Sequence, residues 1–235
     1  MAARQTPELR LHAHATAWVD AAVLDITAAL DKDLAAHGRA RLLVSGGGTP
    51  APVYRALSAA RLAWDEIIVG QVDERWLAAD DPDSNETLIR RELLVDRAAS
   101  AEFQPLLGTD ASLGQNVLLA QRRFAPATVA VLGMGPDGHV ASLFPHMRGL
   151  DQAVSEAAAY IAVNARDCPA AGVWTERISI TPGGLAAVSE RVLLIRGQAK
   201  RELLERALDG DDWRELPVRL LFALPGAALR IHWYP

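Results

Sequence analysis

Short runs of apolar residues recur along the chain, separated by longer segments of mixed character. The clearest run covers residues 128–132, with valine, alanine and leucine and no charged residue. Such a run, followed by glycine, is typical of a strand that is buried on both faces of a parallel sheet. The same pattern predicts strands at residues 41–44, 66–72, 160–163, 192–195 and 229–233.

Helical spacing characterises several of the segments between these runs. Apolar residues at positions 19, 23, 26, 30 and 34 predict an amphipathic helix over residues 18–34. Residues 98–112 show no regular pattern, and an irregular segment is expected there. Further helices are predicted at residues 51–60, from Ser84 or Asn85 to residue 93, at 113–124 and from about residue 197.

The alternation of strands and helices predicts the fold class. An α/β fold with a mainly parallel sheet is typical of chains in which the two kinds of element alternate. The chain contains no internal repeat, low-complexity tract or long linker. We therefore expect a single domain over residues 1–235.

Composition narrows the class of protein further. Of the 235 residues, 50% are hydrophobic and 23% are charged, which is typical of a globular protein in water. The net charge of −5 gives no electrostatic reason to expect a nucleic acid or an anionic membrane as partner. Cys168 is the only cysteine, and neither a signal peptide nor a membrane-spanning stretch is evident. A cytoplasmic protein is expected.

A glycine-rich loop, SGGGTP at residues 45–50, follows the strand predicted at 41–44. One glycine would suffice for a tight turn, but three expose a row of backbone amides at a helix N-terminus, where a phosphate can bind. Pro50 suits the first helical turn, and Thr49 is expected to be the N-cap. The loop is therefore a candidate anion site.

The loop GMGPDGHVASLFP, residues 133–145, follows the central apolar run. Ligands in open α/β sheets bind at the carboxyl ends of strands, which is where this loop begins. Asp137 and His139 lie two residues apart, so an acid–base group has an anionic partner beside it. We expect this loop to carry the chemistry.

Three consecutive charges, Asp73, Glu74 and Arg75, follow the strand predicted at residues 66–72. They stand at a strand's carboxyl end, so side chains here can reach the same crevice. We expect Asp73 and Arg75 to face the crevice and Glu74 to be solvated.

Two further cations are candidates for that crevice. In residues 176–181 polar and apolar side chains alternate, which predicts a half-exposed strand with Arg177 on its polar face. Lys200 lies in the first turn of a predicted helix, where a cation opposes the helix dipole unless an anion binds beside it. The other single candidates are expected to be non-functional: solvated His12 and His14, surface His146, and Cys168, which has no activating neighbour.

Two glycine patterns satisfy a dinucleotide-binding fingerprint, at residues 46–51 and 133–138. A nicotinamide-dependent dehydrogenase is therefore a rival interpretation. In the first pattern, Thr49 and Pro50 occupy positions where the helix would begin to carry the pyrophosphate. In the second, Asp137 would repel the phosphates.

Five motifs, in order, resemble the 6-phosphogluconolactonase family of the glucosamine-6-phosphate isomerase/deaminase-like superfamily. They are SGGGTP at 45–50, DERW at 73–76 with SN at 84–85, GMGPDGHVASLFP at 133–145, ERISIT at 176–181 and GQAK at 197–200. The resemblance implies a modified Rossmann-like fold, a three-layer α/β/α sandwich with a mainly parallel sheet.

The sister deaminases differ from the lactonases just after the Asp-Gly-His triplet. They carry FNEP there, and its glutamate assists opening of the sugar ring. The corresponding residues here are 142–145, with Phe144 in place of that glutamate. Phenylalanine cannot transfer a proton, which favours a lactonase. A phosphosugar isomerase or deaminase and a non-catalytic sugar-phosphate sensor stay open as alternatives.

The resemblance also implies an activity, the hydrolysis of 6-phospho-D-glucono-1,5-lactone to 6-phospho-D-gluconate in the oxidative pentose phosphate pathway. The catalytic residues would be His139 as base, Asp137 as the partner of the imidazole, and Arg75. Arg75 would contact the phosphate or polarise the lactone carbonyl, and Asp73 would hold a sugar hydroxyl or anchor Arg75. The substrate and its phosphate would be bound by Ser45, Gly46, Gly47, Gly48, Thr49, Asp73, Asn85, Arg177 and Lys200.

No metal and no cofactor is implied by the resemblance or by any ligand cluster in the sequence. The expected partner is a small phosphosugar lactone. We expect a monomer or a small homo-oligomer.

Overall fold

The computed structural model describes residues 5–78, 80–108 and 110–235, and these contain ten strands, seven α-helices and four short 3-10 helices. The strands are β1 (Glu8–Leu11), β2 (Ala40–Val44), β3 (Ile67–Gln71), β4 (Asp73–Arg75), β5 (Glu102–Gln104), β6 (Ala127–Gly133), β7 (Tyr160–Asn164), β8 (Glu176–Ile180), β9 (Val188–Arg196) and β10 (Arg230–Tyr234). The helices are α1 (Ala15–His37), α2 (Ala51–Ser58), α3 (Asn85–Glu92), α4 (Leu113–Arg123), α5 (Leu150–Ser155), α6 (Pro182–Ala186) and α7 (Gln198–Asp209). Within these residues no helix is both long and apolar enough to cross a membrane.

The strands form two sheets. The large sheet has seven strands in the order β1-β10-β9-β6-β2-β3-β5, and every neighbouring pair is parallel. The small sheet has three antiparallel strands in the order β4-β8-β7. Only Val72 separates β3 of the large sheet from β4 of the small one.

Successive residues of the central strands face two different cores. In β6, Val129 and Val131 belong to a core that includes Trp18 of α1, together with residues of α2 and α3. Ala130 and Leu132 belong to a second core with Leu204 of α7 and residues of α4, α6 and the small sheet. This alternation is what a strand covered on both faces requires. The three-layer α/β/α arrangement and the mainly parallel sheet predicted from the sequence are confirmed.

The two edge strands of the large sheet were not predicted. β1 precedes the first predicted helix, and β5 lies inside residues 98–112, which were expected to be irregular. Both are short, and each pairs with one neighbour only. Edge strands are not buried on both faces along their length, so they lack the continuous apolar run that marks the central strands. The expectation of a single domain over residues 1–235 stays a prediction.

The prediction of a half-exposed strand at residues 176–181 is wrong. β8 is the middle strand of the small sheet, and of its five residues only Glu176 is exposed. Its polar side chains have hydrogen-bond partners inside the protein. For example, the backbone N–H of Ser142 donates to Ser179 Oγ at 3.1 Å. The alternation of polar and apolar residues in β8 therefore reflects a polar face that is buried, not one that is exposed to solvent.

The prediction that His12 is solvated is also wrong. β1 pairs with β10, which brings His12 onto buried His232 with their rings stacked and Nε2 of His12 3.1 Å from Nδ1 of His232. His14 is exposed and accepts a hydrogen bond from the N–H of Ala17 as the N-cap of α1. His146 is exposed, as predicted. Burial raises the pKa of the Cys168 thiol above its ordinary value, as expected for an unactivated cysteine.

Candidate active site

A cleft of about 220 Å³ opens at the carboxyl ends of β2 and β6, against the small sheet. Its lining includes Ser45, Gly46, Gly47, Thr49, Pro50, Asp73, Arg75, Asn85, Gly133, Met134, Gly135, Pro136, His139, Ala141, Arg177 and Lys200. The structure thus brings together ten of the twelve residues predicted for the site. The other two are close by: Gly48 is exposed within the glycine loop, and Asp137 contacts His139.

The glycine loop connects β2 to α2. Its first residue is fixed on two sides, since the N–H of Ser45 donates to the carbonyl of Val131 and the Tyr54 hydroxyl donates to the carbonyl of Ser45. Gly47 has φ +91°, a backbone conformation that favours glycine. The Ser45 hydroxyl oxygen is buried and has no hydrogen-bond partner within the described residues. A buried hydroxyl without a partner, in the wall of a cleft, suits a polar ligand.

The prediction that Thr49 caps the following helix is wrong. α2 begins at Ala51, and its N-cap is Pro50, which has helical φ and ψ angles of −79° and −14°. Pro50 thus already has a helical backbone conformation, and no side chain forms a capping hydrogen bond at this end of α2. The Thr49 side chain contributes to the cleft wall instead.

Asn85 sits so close to the glycine loop that any side chain at residue 46 would displace it. A Cβ atom on Gly46 would lie 1.7 Å from Oδ1 of Asn85. Asn85 also donates from Nδ2 to the carbonyl of Asp73 at 2.8 Å and accepts from Nη1 of Arg75 at 2.5 Å. It therefore connects β4 with the loop after β2. Ser84, as predicted for this residue or its neighbour, caps α3.

Asp73 and Arg177 are held on either side of a buried hydroxyl. Ser142 donates from Oγ to Oδ2 of Asp73 at 2.6 Å, and Nη1 of Arg177 lies 3.4 Å from the same Oγ. Asp73 and Ser142 are both buried. Ser142 was not predicted as a site residue, because nothing in the sequence connects it with Asp73, which lies 69 positions earlier.

Arg177 is a buried cation with no ion-pair partner among the described residues. It is 6% exposed, and it donates from Nε to the carbonyl of Trp174 and from Nη2 to the carbonyl of Ala171. Its guanidinium also lies over the ring of Phe144, 5.2 Å from the centroid. Burial lowers its pKa below the ordinary value. The carbonyl dipoles, the π face and the Asp73 carboxylate across Ser142 compensate this buried charge only in part, so an anion in the cleft would be favoured.

Lys200 lies in the first turn of α7 and also lines the cleft. Its Nζ donates to the carbonyl of Met134, the first residue after β6 in the loop that carries His139. Burial lowers its pKa to about 8, although nearby Asp137 acts in the opposite direction. Near neutral pH this side chain is therefore mostly charged.

His139 and Asp137 form a hydrogen-bonded pair in the loop after β6. Nδ1 of His139 lies 2.6 Å from Oδ1 of Asp137, and the N–H of His139 donates to the same oxygen at 3.2 Å. Burial disfavours the Asp137 carboxylate, but its hydrogen bonds with His139 and the charge interaction outweigh this and lower its pKa. The ionised carboxylate can only accept, so the proton resides on Nδ1 and Nε2 is the basic nitrogen.

The imidazole of His139 is confined by its neighbours. The ring of Phe144 packs against it with centroids 4.4 Å apart. On another side a Cβ atom at Gly135 would lie only 2.1 Å from Nδ1 of His139. Phe144 is fully buried and thus contacts both His139 and Arg177. Phe144 is the residue that corresponds in sequence to the glutamate of the FNEP motif in the deaminases.

The cleft is cationic although the whole chain is acidic. Arg75, Arg177 and Lys200 line it, and Asp73 is the only carboxylate in the described lining. Among the described residues, no three His, Cys, Asp or Glu side chains are grouped so that they could hold a metal ion. A histidine base beside three cations can act on a substrate that carries a phosphate.

Sequence reasoning missed residues that support the lining from behind. Tyr54 fixes the glycine loop, Ser142 joins Asp73 to Arg177, and Glu74 is 1% exposed although it was expected to be solvated. The prediction for Glu74 is wrong because its carboxylate points away from solvent, to the start of α3. Polar residues of this kind carry no pattern that distinguishes them from surface residues.

A three-layer α/β/α sandwich with a glycine-rich loop and a histidine–aspartate pair at the strand ends defines the class of this protein. The sequence profile of the family described as glucosamine-6-phosphate isomerases/6-phosphogluconolactonase matches residues 13–233. The chain therefore belongs to this family.

Individual relatives agree with the family match. A 6-phosphogluconolactonase from Xylella fastidiosa is 43% identical over 219 residues, covering 92% of this chain and 91% of the relative. One from Pseudomonas aeruginosa is 40% identical, covering 90% of this chain and 88% of the relative. The crystal structure of a 6-phosphogluconolactonase from Shewanella baltica superimposes with a TM-score of 0.90 at 28% identity, covering 98% of each chain.

Proposed function

We propose that this chain hydrolyses 6-phospho-D-glucono-1,5-lactone to 6-phospho-D-gluconate, the lactonase step of the oxidative pentose phosphate pathway. The names of the relatives support this substrate. The observation that carries the proposal is the hydrogen-bonded pair of His139 and Asp137 in a cleft lined by three cations. Opening a lactone requires a base for water and a proton for the leaving oxygen, and one imidazole can supply both.

The phosphate of the substrate is assigned to the glycine loop and its neighbours. The amides of residues 46–49 and the unpartnered hydroxyl of Ser45 provide donors, and Arg177 and Lys200 provide charge. Arg75 is assigned to the phosphate rather than to the carbonyl. Its bond to Asn85, which itself touches Gly46, supports that choice.

The reaction then follows from the tautomer of His139. Nε2 accepts a proton from water while the water oxygen attacks the carbonyl carbon of the lactone, and Asp137 stabilises the resulting imidazolium. Negative charge develops on the carbonyl oxygen inside a cationic cleft, which lowers its energy. The bond from the carbonyl carbon to the ring oxygen then breaks. The imidazolium returns the proton to that oxygen, which leaves a carboxylic acid and a neutral histidine.

Phe144 argues against the isomerase or deaminase alternative. Opening of an amino-sugar ring needs a further proton-transfer group, and the fully buried phenyl ring beside His139 cannot supply one. A non-catalytic sensor would not need the ordered histidine–aspartate pair. Dehydrogenase chemistry is disfavoured because Asp137 would face the phosphates of a dinucleotide.

The experiment is a measurement of lactone consumption, with the lactone generated in situ from glucose 6-phosphate and its dehydrogenase. Wild type is compared with His139→Ala and with His37→Ala, an exposed histidine at the end of α1 that does not line the cleft. We expect wild type and His37→Ala to accelerate hydrolysis equally and His139→Ala to fall toward the spontaneous rate.

Other outcomes would reject the proposal. Wild-type hydrolysis no faster than the spontaneous rate would refute lactonase activity, and ammonia release from glucosamine 6-phosphate would favour a deaminase. The cytoplasmic location and the monomer or small homo-oligomer also stay proposals. The single cysteine supports the first, and light scattering coupled to gel filtration tests the second.

A further inference from the structure

Glu74 is a buried carboxylate between two residues that line the cleft. It is 1% exposed and lies in β4, directly before Arg75. Within the described residues it forms no ion pair. A buried carboxylate without a cation is costly unless hydrogen bonds replace its water shell.

Five donors surround this carboxylate. Oε1 accepts from the N–H of Arg75 at 2.8 Å and from the N–H of Asn85 at 3.0 Å. Oε2 accepts from Gln71 Nε2 at 2.8 Å, from Ser84 Oγ at 3.0 Å and from the N–H of Glu86 at 2.8 Å. Only an ionised carboxylate can accept all five hydrogen bonds. The NH2 of an amide or the O–H of a protonated acid would point at one of these N–H or O–H groups instead of accepting from it.

The donors belong to two separate parts of the chain. Gln71 and Arg75 are the last residues of β3 and β4, whereas Ser84, Asn85 and Glu86 form the beginning of α3. A helix N-terminus favours a negative charge, so Glu74 holds α3 through its free amides. Burial raises the pKa of Glu74, against the effect of these hydrogen bonds.

Oε1 connects Glu74 with two residues that line the cleft. The two amides bound to Oε1 are those of Arg75 and Asn85, whose side chains are joined to each other at 2.5 Å. Asn85 in turn touches Gly46. Arg75 is thus connected to the glycine loop through Asn85, and its Nη1 also donates to the carbonyl of Asp83 at 2.7 Å. The place of its guanidinium in the cleft therefore depends on how β4 lies against the start of α3, which Glu74 fixes.

We propose that Glu74 is a positioning residue for phosphate recognition: its carboxylate aligns Arg75 and Asn85 with the glycine loop. It does not touch the substrate. The inference rests on the proposed function, since it assigns the phosphate to Arg75 and the glycine loop. It requires that loss of the carboxylate weakens phosphosugar binding more than it slows the chemical step.

The test is Glu74→Gln, which keeps the size of the side chain but presents an amide to the five donors. The matched control is Glu92→Gln at the other end of α3, where the buried carboxylate pairs with Arg55 and Arg91 and does not line the cleft. We expect Glu74→Gln to raise KM for the lactone and the Kd for 6-phospho-D-gluconate at least tenfold, with kcat within threefold of wild type. Glu92→Gln should leave KM, Kd and kcat unchanged.

Three results would overturn the inference. They are an unchanged KM and Kd in Glu74→Gln, a loss confined to kcat, or equal effects in the two glutamine variants. The Kd from calorimetry needs no turnover, so it tests Glu74 even if wild type is not a lactonase. If Glu74→Gln does not fold, Ser84→Ala removes one of the same hydrogen bonds, and it should raise KM and Kd two- to fivefold; no change there would refute the role of Glu74.

Discussion

Replacing Gly135 by alanine tests whether the placement of His139 controls the chemical step. The φ angle of Gly135 is not positive, so alanine fits its backbone. The new Cβ would lie 2.1 Å from Nδ1 and 2.2 Å from Cε1 of His139, where ordinary contact requires 3.4 Å or more. The imidazole must therefore move by more than 1 Å, which breaks its 2.6 Å hydrogen bond to Asp137.

The expected loss can be estimated from that displacement. A shift of about 1 Å in a catalytic group costs roughly 100-fold in rate. Loss of the bond to Asp137 also removes the preference for the proton on Nδ1. We expect kcat to fall about 100-fold, with the Kd for 6-phospho-D-gluconate within threefold of wild type.

The assay is the coupled lactone measurement, with thermal unfolding to show that the variant is folded. Gly114→Ala is the matched control, because a Cβ there meets no atom within 4 Å. In a His139→Ala background the change at Gly135 should have no further effect on the rate. A kcat within threefold of wild type in folded Gly135→Ala would refute the reasoning, as would an equal loss in both backgrounds.

Three further predictions concern charge. Asp137→Asn should lower kcat about 100-fold or more with little change in product binding, because an amide donor would place the imidazole proton on Nε2; equal kcat would contradict the tautomer assignment. The pKa of Lys200 is about 8, so kcat/KM should fall as the pH rises through 8 and the amine loses its charge, whereas Lys200→Arg should lose this alkaline limb. A limb that persists in Lys200→Arg would contradict that assignment. Burial lowers the pKa of His232 to about 4. Between pH 6.5 and 4 this imidazole is therefore mostly protonated in the unfolded chain but neutral in the folded one. Its contribution should reduce the free energy of unfolding by about 3 kcal/mol between pH 7 and 4, and urea unfolding of His232→Gln should show a flatter pH dependence.

The central strands could be predicted because their signal is local. The buried stretches of β2, β6 and β9 are covered on both faces, so residues 42–44, 129–132 and 192–195 are apolar without interruption, whatever packs on them. β1 and β5 lie at the edges of the large sheet, where a strand need not be apolar on both faces. β8 shows the opposite difficulty: its alternation is real, but its polar face lies against other polar groups inside the protein.

The site shows the same division between local and distant causes. His139, Asp137 and the glycine loop were predicted because strand ends, glycines and paired acid–base groups stand together in the sequence. The burial of Glu74 depends on amides that lie up to 12 positions further along the chain. The burial of Arg177 depends on Phe144, 33 positions earlier, and no rule of spacing connects the two.

Val72 links the two sheets through both of its backbone polar groups. Its N–H donates to the carbonyl of Val44 beside the large sheet, and its own carbonyl accepts from the N–H of Ile180 in the small sheet. The loop that carries His139 follows β6 of the large sheet, whereas Arg75 and Arg177 belong to strands of the small one. Separating the sheets would break both bonds, so the amide hydrogens of Val72 and Ile180 should exchange with deuterium only on global unfolding. The two halves of the cleft then form one mechanical unit.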